Sequence, residues 1–313
     1  MIAFRPYEPG DEAAITSLFC RVFGRPMSIE FWRWRFLDHP MADPMIMLAF
    51  DDEILVGHYA ASQAPLNIGG AVHPAGLSVG TMTHPEWRGQ KLFERTAEAL
   101  YETLPSRGKK AVYGFPNTAI HALRRNKVGW DDFCDVASLV LDIGGLQSVP
   151  VADTAVRTAS HIDDRFGRFF ANIASTLPVS GHRDANILRW RIDHNPANTY
   201  TRLVLEEGTE IAGYAFTKPY GTEILDLVEL RCSGTVAARA LLNTVVANAA
   251  ALGRTKISTW CLPHDDHRIA LEMAGFKATA PVTYFGGRTF APLPADLTDA
   301  RLWRLSMLDS DLY

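Results

Sequence analysis

The sequence predicts an α/β fold with a mixed, partly antiparallel sheet, present as two tandem copies in one chain, the second lacking a phosphate-holding loop. Three observations predict it. Strand-like apolar runs alternate with amphipathic helical stretches along the first half of the chain. The block Phe31–Pro40, FWRWRFLDHP, returns as Ile187–Pro196, ILRWRIDHNP, and the pairs Trp34/Trp190, Arg35/Arg191, Pro40/Pro196 and Gly57/Gly213 share one offset of 156 residues. Finally, 313 residues are long for one core and suit two units of about 150 residues each.

The first copy opens with a short strand at residues 2–5. Asp11 is placed to cap a helix whose Ala14, Ile15, Leu18, Phe19, Val22 and Phe23 form a buried stripe. A second helix covers residues 29–36. Strands follow at 45–50, 54–62 and 66–68, separated by the turns Asp51-Asp52-Glu53 and Gly69-Gly70. A strand over 75–83 breaks at His84-Pro85, passes Arg88-Gly89 and becomes a helix with Phe93, Ala97, Leu100, Tyr101 and Leu104 on one face. A strand at 111–115, a helix from Asn117 to Lys127 ending at Gly129, and a strand at 133–143 complete the copy. Later, Lys110–Pro116 through Gly129-Trp130 is echoed by Lys256–Pro263 through Gly275-Phe276. The expected division is 1–145, a linker at 146–158, a second unit at 159–288 and a tail at 289–313 that is apolar enough to dock.

The junction at residues 84–92 reads as an anion site. A loop that becomes a helix leaves several backbone N–H groups without intrahelical partners, and the helix dipole adds about half a positive charge there. Gly89 allows close approach, and Arg88 and Lys91 add formal charge. The second copy has Cys232-Ser233-Gly234-Thr235 at the corresponding place, so the first copy is expected to bind the cofactor and the second to shape the substrate side.

The run Met82-Thr83-His84-Pro85-Glu86-Trp87-Arg88-Gly89-Gln90-Lys91-Leu92-Phe93 resembles the acyl-CoA signature of the GNAT superfamily of N-acyltransferases, and the two copies resemble its tandem members over residues 1 to 288. Lys91 stands where that family has its second glycine, and Phe93 where a small residue is frequent. Either the Lys91 amide still faces the diphosphate with its ammonium turned outward, or the loop has lost its ligand. The resemblance implies acyl-CoA, acetyl-CoA or another short form, as co-substrate. It would be held by Thr81, Met82, Thr83, Arg88, Gly89, Gln90, Lys91, Leu92, Phe93 and Asn117, with pantetheine between the strands at 78–83 and 111–115. A bulge in the first of these strands would expose backbone amides to the developing oxyanion, supplied by Met82 or Thr83, and Gly80 suits a bulge. The tyrosine that the family places four residues before the helix-ending glycine is Arg125 here, and the strand at 75–83 carries no carboxylate. His121 and Tyr113 are the candidate catalytic groups, and Asp38 and His39 the candidate acceptor contacts. Trp34 and Arg35 serve both copies and read as fold-defining, leaving Trp32 and Arg33 free to face substrate. The implied reaction is direct attack by the primary amine of a small molecule, such as a nucleotide-linked amino sugar. The alternatives are an Eis-like acyltransferase for a protein or aminoglycoside amine and a non-catalytic CoA-binding module.

Other readings are weaker. Gly76-Leu77-Ser78-Val79-Gly80 fits a nucleophile elbow, but an elbow needs the strand to end at the serine, and here it continues. His264-Asp265-Asp266-His267 suggests a metal, or carboxylates at a helix start. A net charge of −4 and pI near 6.2 argue against a general nucleic-acid binder. Four cysteines without a C-x-x-C pair read as buried thiols. The N-terminal residues lack a signal-peptide pattern and no run reaches a membrane span, giving a cytoplasmic expectation. Monomer and homo-oligomer both remain open.

Overall fold

The computed structural model describes residues 1–311 and 313. The first half contains β1 (Ile2–Pro6), α1 (Glu12–Phe23), α2 (Ile29–Phe36), β2 (Met45–Asp51), β3 (Ile54–Gln63), β4 (Leu66–Ile68), β5 (Ala71–His73), β6 (Ala75–Ser78), β7 (Met82–Thr83), α3 (Leu92–Thr103), β8 (Ala111–Gly114), α4 (Thr118–Lys127) and β9 (Asp131–Asp142). The second half contains β10 (Val156–Ala159), α5 (Asp164–Ile173), β11 (Val179–Gly181), α6 (Ala185–Leu188), β12 (Thr201–Glu207), β13 (Glu210–Tyr220), β14 (Ile224–Cys232), α7 (Thr235–Ala251), β15 (Lys256–Trp260), α8 (Arg268–Met273) and β16 (Lys277–Thr289). The mixed α/β class expected from the alternation is the one found.

One continuous sheet runs through both halves in the order β1-β2-β3-β6-β8-β16-β9-β15-β14-β13-β12-β10, with β7 paired to β3. The strand that closes each repeat lies against the other repeat. β16 pairs with β8 of the first half, β9 pairs with β15 of the second, and the two closing strands pair with each other. Glycines make the insertion possible. A Cβ at Gly286 would lie 2.4 Å from the Asp131 carbonyl oxygen, and one at Gly287 2.3 Å from that of Val112, so side chains there would wedge β16 away from both neighbours. A second, small sheet, β11-β4-β5, also joins the halves, and the Asn67 amide donates to the Ala174 carbonyl at 2.9 Å.

The recurring tryptophans mark the relation between the halves. Trp34 Nε1 donates to the Trp190 carbonyl at 2.9 Å, Trp190 Nε1 donates to the Trp34 carbonyl at 2.8 Å, and the indoles stack with centroids 5.0 Å apart. Arg35 and Arg191, beside them, hold main-chain carbonyls of the C-terminal segment: Arg35 that of Asp311 at 3.4 Å, Arg191 those of Ser310 and Tyr313. The tail therefore docks, as its apolar character predicts, and buries Trp303, Leu305, Met307 and Leu308. One apolar core extends from Leu77, Tyr113 and Phe133 through Phe285 and Trp303 to Phe166, Tyr214 and Trp260, so the halves share it, beside smaller apolar clusters, such as that of Ile15, Trp32 and Leu48, that lie within the first half.

Some local expectations fail for identifiable reasons. Asp11 does not cap α1, because Arg5 grips both its oxygens at 2.7 Å and the Glu8 amide takes a further bond. Cys20 is exposed rather than buried. The strand expected over 75–83 is interrupted at residues 79–81. Asp265 accepts the His267 amide at 2.9 Å, and His264 bonds the Trp303 carbonyl. No helix among the described residues is long and apolar enough to cross a membrane.

Candidate active site

The interruption at 79–81 creates the site. β6 and β8 run parallel through Ala75↔Ala111, Gly76↔Val112 and Leu77↔Tyr113, and then part. Against β3, Ala61 faces Ser78 while His58 faces Met82, leaving one extra residue on the β6–β7 side. That residue is absorbed at Gly80, which takes φ +70°, as the bulge reading requires. His58 Nδ1 lies 2.7 Å from the Gly80 carbonyl. A carbonyl only accepts, so the ring proton is on Nδ1, and burial holds the imidazole neutral by pushing its pKa down to about 4. With its carbonyl fixed inward, Gly80 leaves its own amide and that of Thr81 without a backbone acceptor among the described residues.

The anion loop forms next to it. Pro85–Trp87 makes a single tight turn, steadied by the His84 ring, which stands edge-on to Trp87, and by Trp87 Nε1 donating to Asp51 at 3.1 Å. Gly89 has φ +81° and open space where a Cβ would be. Lys91 precedes α3 with φ +55° and ψ +27°, the left-handed conformation that glycine adopts most readily. The first intrahelical bond is Arg95 N–H to the Lys91 carbonyl at 3.0 Å. The amides from Gly89 to Glu94 precede it, and none has an acceptor among the described residues.

Two clefts meet here. One, of about 710 Å³, is lined by Thr81, Met82, Thr83, Arg88, Gly89, Lys91, Leu92, Phe93, Asn117 and Arg124 among others. The second, of about 780 Å³, is walled by Phe19, Phe31, Trp32, Phe36 and Tyr284, with Arg25 and Arg35 as its cations. They share Gly80, Phe115–Asn117 and Asp311. Asn117 caps α4 by accepting the Ile120 amide at 3.1 Å and sits at this junction. In the second half, β14 and β15 part in the same way after Asp226↔Ser258. There the space is closed to about 20 Å³ by Arg231, Trp260, Cys261, Leu305 and Ser306.

Nine of the ten residues expected at the cofactor line the first cleft; Gln90 is exposed and does not. The candidate catalytic and acceptor residues fare differently. His121 turns outward, with Nε2 at 2.6 Å from Asp132 and its ring stacked on Tyr284 at 4.0 Å, and it lines neither cleft. Tyr113 points to the other face of the sheet, edge-on to Phe285, where burial pushes its phenol well above the usual range. His39 is buried under the Trp190 ring, its Nδ1 accepting the Met41 amide, and burial lowers its pKa to about 4. Asp38 is exposed and lines neither cleft. Arg33 pairs with Glu12 at 3.2 Å, whereas Trp32 does face the second cleft.

Two residues at the site went unassigned in the sequence. Counting back from Gly129 selects Arg125, but Arg125 is on the surface with Asp132. Counting forward from the Asn117 cap, two helical turns, selects Arg124, and this is the side chain that enters the cleft. Asp311 lies far along the chain and has no local signal.

Residues 3–131 match the family model described as the acetyltransferase (GNAT) domain. Solved structures share the fold of nearly the whole chain. A GCN5-related N-acetyltransferase from Anabaena variabilis aligns with a TM-score of 0.74 at 13% identity, covering 92% of this chain and 72% of that one. One from Kribbella flavida gives 0.72 at 15%, covering 92% and 71%. Eis1 from Mycobacterium abscessus gives 0.63 at 13%, covering 92% and 73%. No curated protein matches the sequence significantly. The chain thus carries, in its first half, an enzyme domain of the acyl-transferring class.

Proposed function

We propose that this chain, built on a GNAT acetyltransferase domain, is an acyl-CoA-dependent N-acyltransferase that acylates the primary amine of a small molecule. The carrying observation is the run of amides from Gly89 to Glu94, unpartnered among the described residues, opening beside Arg88 and Lys91 onto a cleft of about 710 Å³. The glycine-lined approach and the helix-start charge fit a diphosphate. When bound, acyl-CoA supplies a thioester carbonyl as the electrophile. The Gly80 and Thr81 amides are placed to hold charge that develops on its oxygen. The amine enters from the aromatic cleft, and Asp311, the carboxylate common to both clefts, is placed to take its proton.

The aromatic cleft also bears on the acceptor. Its two arginines outnumber its single carboxylate, which disfavours a polycationic aminoglycoside and favours a ring-bearing amine that is neutral or anionic. A nucleotide-linked amino sugar has that chemistry, with a base to stack on the phenyl and indole walls and a phosphate for Arg25.

Calorimetry with coenzyme A tests the reading, followed by thiol release from acetyl-CoA over a panel of amines. Binding is expected for the native protein and should weaken about tenfold or more in Arg88→Gln, which removes a charge-assisted contact. Release should occur with carboxylate- or phosphate-bearing amines. Absence of heat with coenzyme A and its acyl forms would overturn the assignment. Heat without turnover on any amine would leave a binding module.

A further inference from the structure

Arg124 is the buried cation of the cofactor cleft. It is 5% exposed, and its guanidinium lies over Trp130 at 4.2 Å. Nη2 donates to Ser78 Oγ at 3.1 Å, while Nε and Nη1 are buried without any acceptor. No carboxylate among the described residues pairs with it. An arginine in this condition is costly for a fold to keep unless something anionic arrives opposite it. Room has been made for it: Gly114, the last residue of β8, would put a Cβ 3.2 Å from Nη1. Ser78, its one side-chain hydrogen-bond partner among the described residues, is the last residue of β6. The guanidinium therefore sits where the two strands part.

The phosphates of a bound donor have their own amides in the Gly89 loop. The acyl group must point past Gly80 and Asn117 toward the aromatic cleft, which Arg124 does not line. With the donor's two ends so placed, its sulfur would fall beside the strand parting. We propose that Arg124 is a catalytic residue that stabilises the sulfur of the acyl donor as it leaves as a thiolate; the proposal rests on the acyltransferase reading above.

The electron count follows. As the amine nitrogen bonds to the acyl carbon, the C–S bond breaks and its pair passes to sulfur, whose charge the guanidinium meets. Arg124 acts here through the charge and N–H groups of its guanidinium, not as a proton donor. The amine proton goes to Asp311 and on to solvent, and the thiolate is protonated from solvent after release. A tyrosine in this place would act as an acid; an arginine replaces proton donation by charge.

The test compares coenzyme A with desulfo-coenzyme A, which lacks the sulfur, by calorimetry at pH 6 and pH 9. An alkyl thiol ordinarily titrates near 8.5, and a neighbouring cation favours its anion. For the native protein, preference for coenzyme A over the desulfo compound should grow about tenfold between the two pH values. In Arg124→Met that growth should vanish while desulfo-coenzyme A still binds, and turnover of acetyl-CoA should fall about 100-fold. Arg124→Lys, which retains the charge, should keep part of both; it also decides the matter if the methionine variant does not fold. An equal pH response in native and variant proteins would overturn the proposal, as would a loss confined to carboxyl-bearing donors such as succinyl-CoA. Failure of both compounds to bind the native protein would instead remove the acyltransferase reading itself.

Discussion

Lys91 occupies a left-handed backbone conformation at the head of α3, with φ +55°. A side chain there costs about 1 kcal/mol relative to glycine, and a cation at a helix N-terminus opposes the dipole. Both terms are tolerated at a position whose ammonium can meet a phosphate. Lys91→Gly should therefore raise stability by about 0.5–1 kcal/mol in thermal unfolding and weaken coenzyme A binding in calorimetry. Unchanged binding would show that only the backbone matters. His58 gives the residue-scale pH prediction. Its pKa falls from an ordinary 6.5 to about 4 on burial, so the unfolded chain takes up its proton first as pH drops. Its contribution is complete above pH 6.5 and is lost as pH falls toward 4, by about 3 kcal/mol at most. His39 acts in the same sense. Asp226, pushed up to about 6 by burial, acts oppositely, favouring the fold at low pH. Denaturant titrations between pH 7 and 5 should show falling stability, with a shallower slope in His58→Gln.

At the scale of elements, legibility depended on whether the cause was local. The Gly89 loop and the Gly80 bulge were readable because each needs particular backbone freedom at one position. The catalytic assignments were not, because facing is set by helical phase and sheet side. Tyr113 is one residue from Val112 on β8, and alternation alone decides which of the sheet's faces receives it. Between Arg124 and Arg125, a single residue of spacing before Gly129 moved the count from the cleft to the surface. The two glycines of β16 are likewise legible only once their neighbours are known. Gly287→Val would bring side-chain atoms against the Val112 carbonyl and the Phe133 ring, which a Cβ alone would approach to 2.3 Å and 2.9 Å. It should cost about 3 kcal/mol or more in unfolding experiments, whereas Gly145→Ala, with only Asp142 Cγ at 4.0 Å, should stay within about 0.5 kcal/mol.

For the molecule as a whole, the repeat was visible in the sequence and the exchange of closing strands was not. Equivalent strands in two copies carry equivalent patterns, so β9 and β16 satisfy either β8 or β15 by periodicity alone; chain connection and the glycine contacts choose between them. The choice has a mechanical consequence. Cutting the largely exposed stretch between Gln147 and Ala152 severs the chain at the boundary of the repeats without touching a ladder. The pieces then remain joined by β16 on β8, β9 on β15, β4 on β11 and the reciprocal Trp34–Trp190 bonds. A protease-nicked sample should elute as one species on gel filtration, unfold in one cooperative transition and still bind coenzyme A, because the cleft depends on β8 being held by the other fragment's strand. Once separated in denaturant, neither fragment should regain its fold alone, since each would lack the closing strand that the other supplies, β16 for β8 and β9 for β15, and expose half of a shared core. Remixing them should restore binding at the rate of a second-order association. Fragments that part under native conditions, or a first fragment that binds coenzyme A by itself, would show that the exchanged strands do not hold the molecule together.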